Sequence, residues 1–194
     1  MKLGNTWRLG HSWYAVVIAA TTLATAVVAC GSDDPFFRVK QMGGKYVVSG
    51  QRYSISVDFP AKPTLKRSEA GKYTIDTAEL IQANDYMSEA CFSLAAEKMA
   101  RVATMPDLPM DLMRAQLTAR GMTITAERRL DTANGRLFEG QSKIPELGNQ
   151  NSYIVVKMFM AQRLNKICQA TAASIGNVLS PAALTFIEST VVND

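Results

Sequence analysis

The chain predicts an α+β fold in which a curved antiparallel β-sheet is flanked by helices on its faces. Three observations carry this expectation. From residue 45 onward apolar residues recur at period two in one segment after another, the pattern of half-buried strands. The strand segments follow each other through short turns, as antiparallel neighbours do, and parallel pairs would need long crossovers between them. Two stretches alone carry apolar residues at helical spacing, and helices of that kind pack their apolar stripe onto a sheet face.

Tyr53-Ser54-Ile55-Ser56-Val57-Asp58-Phe59 is the clearest strand, with every odd position apolar. Lys45–Ser49, Tyr73–Leu80 and Tyr86–Ala95 are further strands. Met122–Leu130 and Arg136–Ile144 form a pair around the turn residues Asp131–Gly135. Ser152–Ala161, SYIVVKMFMA, is apolar on both faces, as a central strand covered on two sides must be. Arg163–Lys166 turns it back into Ile167–Ala173.

The first helix, Pro109–Arg120, sets Met110, Met113 and Leu117 on one face with Leu112 beside them. It stops at Gly121, a residue free to take the left-handed conformation that ends helices. The second begins at Ser180-Pro181, a side-chain cap followed by a proline whose missing N–H costs nothing in the first turn. Ala183, Leu184, Ile187 and Val191 continue it as an apolar stripe at helical spacing.

The N-terminus has a different character. Lys2 and Arg8 precede the apolar run Ala15–Ala29, with no acidic residue, and small residues lead to Cys30. A positive start, an apolar middle and a small residue at the cut are the layout of a secretory signal. An uncleaved anchor is the rival reading, but the run is shorter than the roughly 20 apolar residues that span a bilayer. It also contains Thr21, Thr22 and Thr25.

Val27-Val28-Ala29-Cys30 resembles the lipobox of bacterial lipoproteins, with Val27 where Leu is commoner. The resemblance implies cleavage before Cys30, lipid on Cys30, a membrane anchor and residence in the cell envelope. By the same resemblance Gly31, in place of Asp, permits sorting to the outer membrane, facing the periplasm. The domain plan is then a signal over residues 1–29, a tether over 30–44 containing Pro35, Gly43 and Gly44, and one domain over 45–194.

Cleavage changes the chemistry the chain can offer. Lys2 and Arg8 leave with the signal, so 21 minus 2 basic residues face 17 acidic ones and the net charge falls from +4 to +2. That excess is too small to point to nucleic acid. His11, the only histidine, also precedes Cys30. A mature chain without histidine cannot run Ser-His-Asp or Cys-His catalysis or build the usual His-containing zinc sites. No metal or cofactor site is expected. Asp and Glu are scattered, without the spacing of a calcium loop or a glycosidase pair.

Phe59-Pro60-Ala61-Lys62-Pro63 resembles the FPxxP opening of PsbP-like domains. The segment Pro181–Ser189 resembles their F-x-x-S-F closing helix, with Phe186 and Ser189 matching and Thr190 where an aromatic is usual. The resemblance covers residues 45–194 through the order and spacing of elements. It implies the α/β/α sandwich shared by the photosystem II extrinsic protein PsbP and a Ran-binding nuclear import factor, in a family that binds and scaffolds rather than catalyses. Fold likeness alone transfers no partner.

With Cys30 lipidated, Cys91 and Cys168 are the two thiols left in a chain exported to an oxidising compartment. A structural disulfide between them is the favoured reading. Two separate buried thiols, or a redox pair, are the others, and neither cysteine has a CxxC partner or a histidine to lower its pKa.

Met110 with Met113, and Met158 with Met160, recur at spacings that place thioethers on one face, which can bind Cu(I). They also stand where core residues are expected. Three function classes result. The favoured one is a membrane-anchored, non-catalytic binding or assembly module whose partner is an envelope protein or polymer. The alternatives are a periplasmic copper-handling protein using the methionine pairs, and a carboxylate- or Ser-dependent enzyme.

Overall fold

A computed structural model describes residues 38–49, 55–70, 73–93, 108–130, 135–161 and 166–192. The predicted signal, Cys30, Phe36 and Phe37 lie outside the described residues, as does the turn at 131–134.

The described residues form a mainly antiparallel β structure with two short helices. A four-stranded sheet joins β1 (Arg38–Met42), β2 (Lys45–Ser49), β3 (Ile55–Phe59) and β11 (Val191–Val192), in that order. A seven-stranded sheet has the order β4-β5-β6-β10-β9-β8-β7. Its strands are β4 (Thr64–Ala70), β5 (Tyr73–Gln82), β6 (Asp85–Ser93), β7 (Thr123–Arg129), β8 (Arg136–Ile144), β9 (Gln150–Ala161) and β10 (Lys166–Ile175). Helix α1 spans Leu108–Ala119 and α2 spans Pro181–Glu188.

Most of the predicted strands appear within a residue or two of their expected bounds, and the differences have physical causes. β1 falls in the stretch assigned to the tether, because Gly43 and Gly44, both at positive φ (57° and 82°), close a two-residue hairpin that pairs it with β2. β4, Thr64–Ala70, is an edge strand too polar to show alternation. Its Lys66 and Arg67 pair with Glu79 and Asp76 of β5, a charged edge of the kind that resists pairing with other chains. On the opposite edge, β7 pairs with β8 through an irregularity between Ile124 and Ala126. Gly140 is needed there, since a Cβ would stand 2.2 Å from the Thr123 carbonyl oxygen.

The two faces of the large sheet carry separate cores. In an antiparallel pair, directly opposed residues point to the same side. Met87, Cys91, Cys168, Ala170, Ala172, Val155, Phe159 and Leu137 therefore face together, and they pack with Ala183, Phe186 and Ile187 of α2 and with Val48, Val57 and Phe59 of the small sheet. The other face carries Phe138, Ile154, Val156, Met158 and Met160, which pack with Met113 and Leu117 of α1.

The second helix differs from its predicted stripe. Ala183, Phe186 and Ile187 are buried, whereas Leu184 is 44% and Val191 54% exposed. The helix ends at Glu188, so Val191 belongs to β11 opposite Ser56 and follows strand rather than helical geometry.

Candidate functional site

Cys91 of β6 and Cys168 of β10 are directly opposed in register, and both are buried. Their sulfurs lie 2.00 Å apart, at bonding distance, with a Cα–Cα separation of 4.1 Å. That spacing is nearer the roughly 4.5 Å of a non-hydrogen-bonded strand pair than the roughly 5.5 Å of a bonded one. Glu89, fully buried two residues earlier on the same face, places Oε1 3.7 Å from Cys91 Sγ. A bridged sulfur has no hydrogen to donate, so this is a packing contact.

A buried polar cluster joins the end of the sheet to α2. The Ser174 hydroxyl donates to Asp85 Oδ1 at 2.6 Å, and the Ser180 hydroxyl donates to Asp85 Oδ2 at 2.6 Å. Ser180 also accepts from the Ala183 N–H at 3.1 Å, as the sequence predicts for a cap, while its own N–H donates to Ser174 Oγ at 2.9 Å. At the other end of the helix, the Lys157 ammonium donates to the Ile187 carbonyl at 2.5 Å. A cation suits the negative end of a helix, although burial, aided by repulsion from Arg128, pulls the Lys157 pKa below its ordinary value. Ser189 completes the attachment, accepting from the Asp58 N–H at 3.0 Å and donating to the Phe186 carbonyl at 2.8 Å.

Helix α1 is held differently. Arg114 donates from Nε and Nη2 to the two oxygens of Glu127 on β7, at 2.8 Å each, and from Nη1 to Asp111 at 3.0 Å. Arg136 approaches the same Glu127 at 3.5 Å. On the α2 face of the sheet, the Tyr153 hydroxyl donates to Glu139 Oε2 at 2.6 Å, which pushes the Tyr153 pKa up to about 12.

An open depression of about 270 Å³ lies where the small sheet meets α2, lined by Gly44, Lys45, Asp58, Pro60, Ala182 and Thr185. It falls just below the range of roughly 300–1,000 Å³ typical of ligand pockets, and its two charged groups face each other, Lys45 3.4 Å from Asp58. Among the described residues no group of three or more His, Cys, Asp or Glu side chains converges as metal ligands would. Met113, Met158 and Met160 lie in the core between sheet and α1, at 5%, 2% and 2% exposure. A copper-handling role requires these thioethers at the surface.

The structure thus brings Cys91 and Cys168 together. It also assembles a cluster that the sequence only half showed: Ser180 announces itself as a cap, whereas Asp85 and Ser174 lie 95 and 6 residues away in sequence from it and meet only through the register of β6 with β10. No helix of the described residues is long and apolar enough to cross a membrane. Comparison with family models, with curated proteins and with solved structures finds no match to this chain.

Proposed function

We propose that this chain is a lipid-anchored envelope lipoprotein whose domain binds or assembles with an envelope protein or polymer and performs no catalysis. The observation that carries the reading is Val27-Val28-Ala29-Cys30 at the end of an apolar run with a basic start. Lipid on Cys30 adds about 0.8 kcal/mol per buried methylene, and more than one acyl chain gives stable attachment. Gly31 supports the outer membrane as destination, the domain facing the periplasm.

Two features favour a non-catalytic role. The chain from Cys30 onward contains no histidine. The buried and half-buried polar groups described above join elements to one another: Asp85 holds the cap of α2, and Lys157 holds its end. A PsbP-like α/β/α sandwich is the fold we assign to residues 45–194. It is supported by the helix on each face of the large sheet and by the meeting of Phe59, from the FPxxP segment, with Phe186, from the closing helix.

Replacing Cys30 by Ser tests the anchor. The expected result is loss of processing and of membrane association through lipid, seen as a precursor-sized or soluble form. A Cys30→Ser chain that matures and fractionates with membranes as the parent does would remove the reading.

A further inference from the structure

The small sheet has an outer face across which no element of the described residues packs, although Lys45 and Asp58 at its margin border the depression beside α2. Opposed residues share a side, so Lys40 and Met42 of β1, Lys45 and Val47 of β2, Ser56 and Asp58 of β3 and Val191 of β11 all point away from the core. The alternate residues Val48, Val57 and Phe59 are completely buried on the inner side against α2. On the outer side Met42 is 60% and Val191 54% exposed, Val47 is half-buried, and Lys40 and Lys45 are exposed. Asp58 is the single carboxylate among these seven residues, and it already faces Lys45. Lys40 has no carboxylate partner among the described residues.

We propose that this face of the four-stranded sheet lies on the bilayer surface, its cations among anionic headgroups and Met42 and Val191 at the interface. The inference rests on lipidation of Cys30. It is argued from three facts. First, the chain between Cys30 and Arg38 is eight residue steps, which even fully extended spans about 28 Å. A domain of this size has a radius of gyration of about 15 Å, so the anchor keeps it within about one domain diameter of the membrane. Second, the anchor enters the fold at β1, the edge strand of this sheet, so the surface nearest the lipid is the one β1 helps to build. Third, the charge is complementary: from Pro35 to Val57 the sequence carries Arg38, Lys40, Lys45 and Arg52 and no Asp or Glu. Basic residues next to a membrane anchor are drawn to anionic leaflets, by about 1 kcal/mol each near the surface, or roughly five-fold in partitioning. The cations on β4, by contrast, are paired with Glu79 and Asp76.

The chain from Cys30 onward has no tryptophan, since Trp7 and Trp13 both precede it. A Met42→Trp variant therefore carries one fluorophore, placed on the proposed face, and Ile81→Trp places one on the opposite side of the large sheet at another exposed site. Each full-length variant is purified from membranes, its mass measured, and then reconstituted into vesicles of phosphatidylcholine or of equal parts phosphatidylethanolamine and phosphatidylglycerol. The expected result is a lipidated mass, with Met42→Trp emission shifted to the blue and quenched by acyl-brominated lipid in the anionic vesicles. Ile81→Trp emission stays unchanged, and adding Lys40→Glu with Lys45→Glu abolishes the shift. A lipidated chain whose Met42→Trp emission is unchanged, or shifts no more than that of Ile81→Trp, overturns the sheet-face proposal and leaves the anchor standing. A chain without lipid overturns both. A shift that vanishes when protein is diluted at fixed lipid composition assigns the face to a second copy, and equally overturns the proposal.

Discussion

Phe59, the last residue of β3, meets Phe186 of α2 with ring centroids 4.8 Å apart and planes inclined by 59°. Both are completely buried. The pair links the small sheet to α2, which also packs on β6, β9 and β10. A tilted aromatic contact contributes about 0.5–1.5 kcal/mol beyond the area it buries. Neighbouring Ser189 reinforces it through the Asp58 backbone.

Phe186→Ala should therefore cost about 3–5 kcal/mol, the range for deleting a buried aromatic ring. Phe186→Leu, which keeps most of the volume, should cost clearly less. Urea denaturation of both variants is the check. A loss under about 1 kcal/mol for the alanine variant would mean that α2 is not clamped between the sheets.

Tyr153 supplies a pH-dependent contribution. Its hydroxyl bond to Glu139, followed by burial and the nearby negative charge, pushes its pKa from 10.0 up to about 12. The folded protein thus holds the phenolic proton more tightly than the unfolded chain. The stability this contributes is fully present below pH 10 and is lost as pH rises from about 10 through about 12. Burial raises the Tyr86 pKa as well, so alkaline destabilisation has at least two sources. Tyr153→Phe removes one of them. Its stability should fall less steeply than the parent's between pH 10 and 12, as read from denaturation midpoints, and parallel profiles would contradict the assignment.

Residues with a regular environment were legible in advance. Lys45–Ser49 alternates because one face is buried, and the structure has strands there and at Arg136–Ile144. Ser152–Ala161 is apolar on both sides because β9 has a core on each face. β4 was hidden because an edge strand needs charge, not alternation. Val191 misled because three- and four-residue spacing continues past the end of a helix whether or not the helix does. The Asp85–Ser174–Ser180 cluster could be read only in part, since an Asp at a strand start says nothing about a serine 89 residues away. The outer face of the small sheet was equally hidden: Met42, Val47 and Val191 are scattered in sequence and share a side only through strand pairing.

That polar cluster makes its own prediction. Asp85 accepts two hydroxyl hydrogen bonds, and bonds to a charged acceptor contribute about 1.5–3 kcal/mol each. Ser180→Ala should cost about 1 kcal/mol for the lost cap, and more because Asp85 loses a donor. Asp85→Ala should cost at least as much. Since the two share a bond, the double variant should lose less than the sum of the singles, by about 0.5–3 kcal/mol. Strict additivity in a denaturation cycle would show that the serine and the carboxylate act independently.

The bridge between Cys91 and Cys168 has the largest consequence for durability. It spans 77 residues of sequence, a loop that includes α1 and the strands β7, β8 and β9, and joins two central strands already paired in the sheet. Constraining so long a loop in the unfolded chain contributes about 4 kcal/mol in the chain-entropy picture, a large part of the ~5–15 kcal/mol that holds a domain together. Both sulfurs are buried beside Glu89, so access by a reductant requires opening of the sheet. Native mature protein should thus resist mild reductant and show no free thiol when unfolded without it, given lipid on Cys30. Reduction after unfolding should expose two thiols per chain and lower the refolded stability by a few kcal/mol, and Cys91→Ala with Cys168→Ala should do the same. Two free thiols in the unreduced native material would instead leave Cys91 and Cys168 as buried neighbours that never bond.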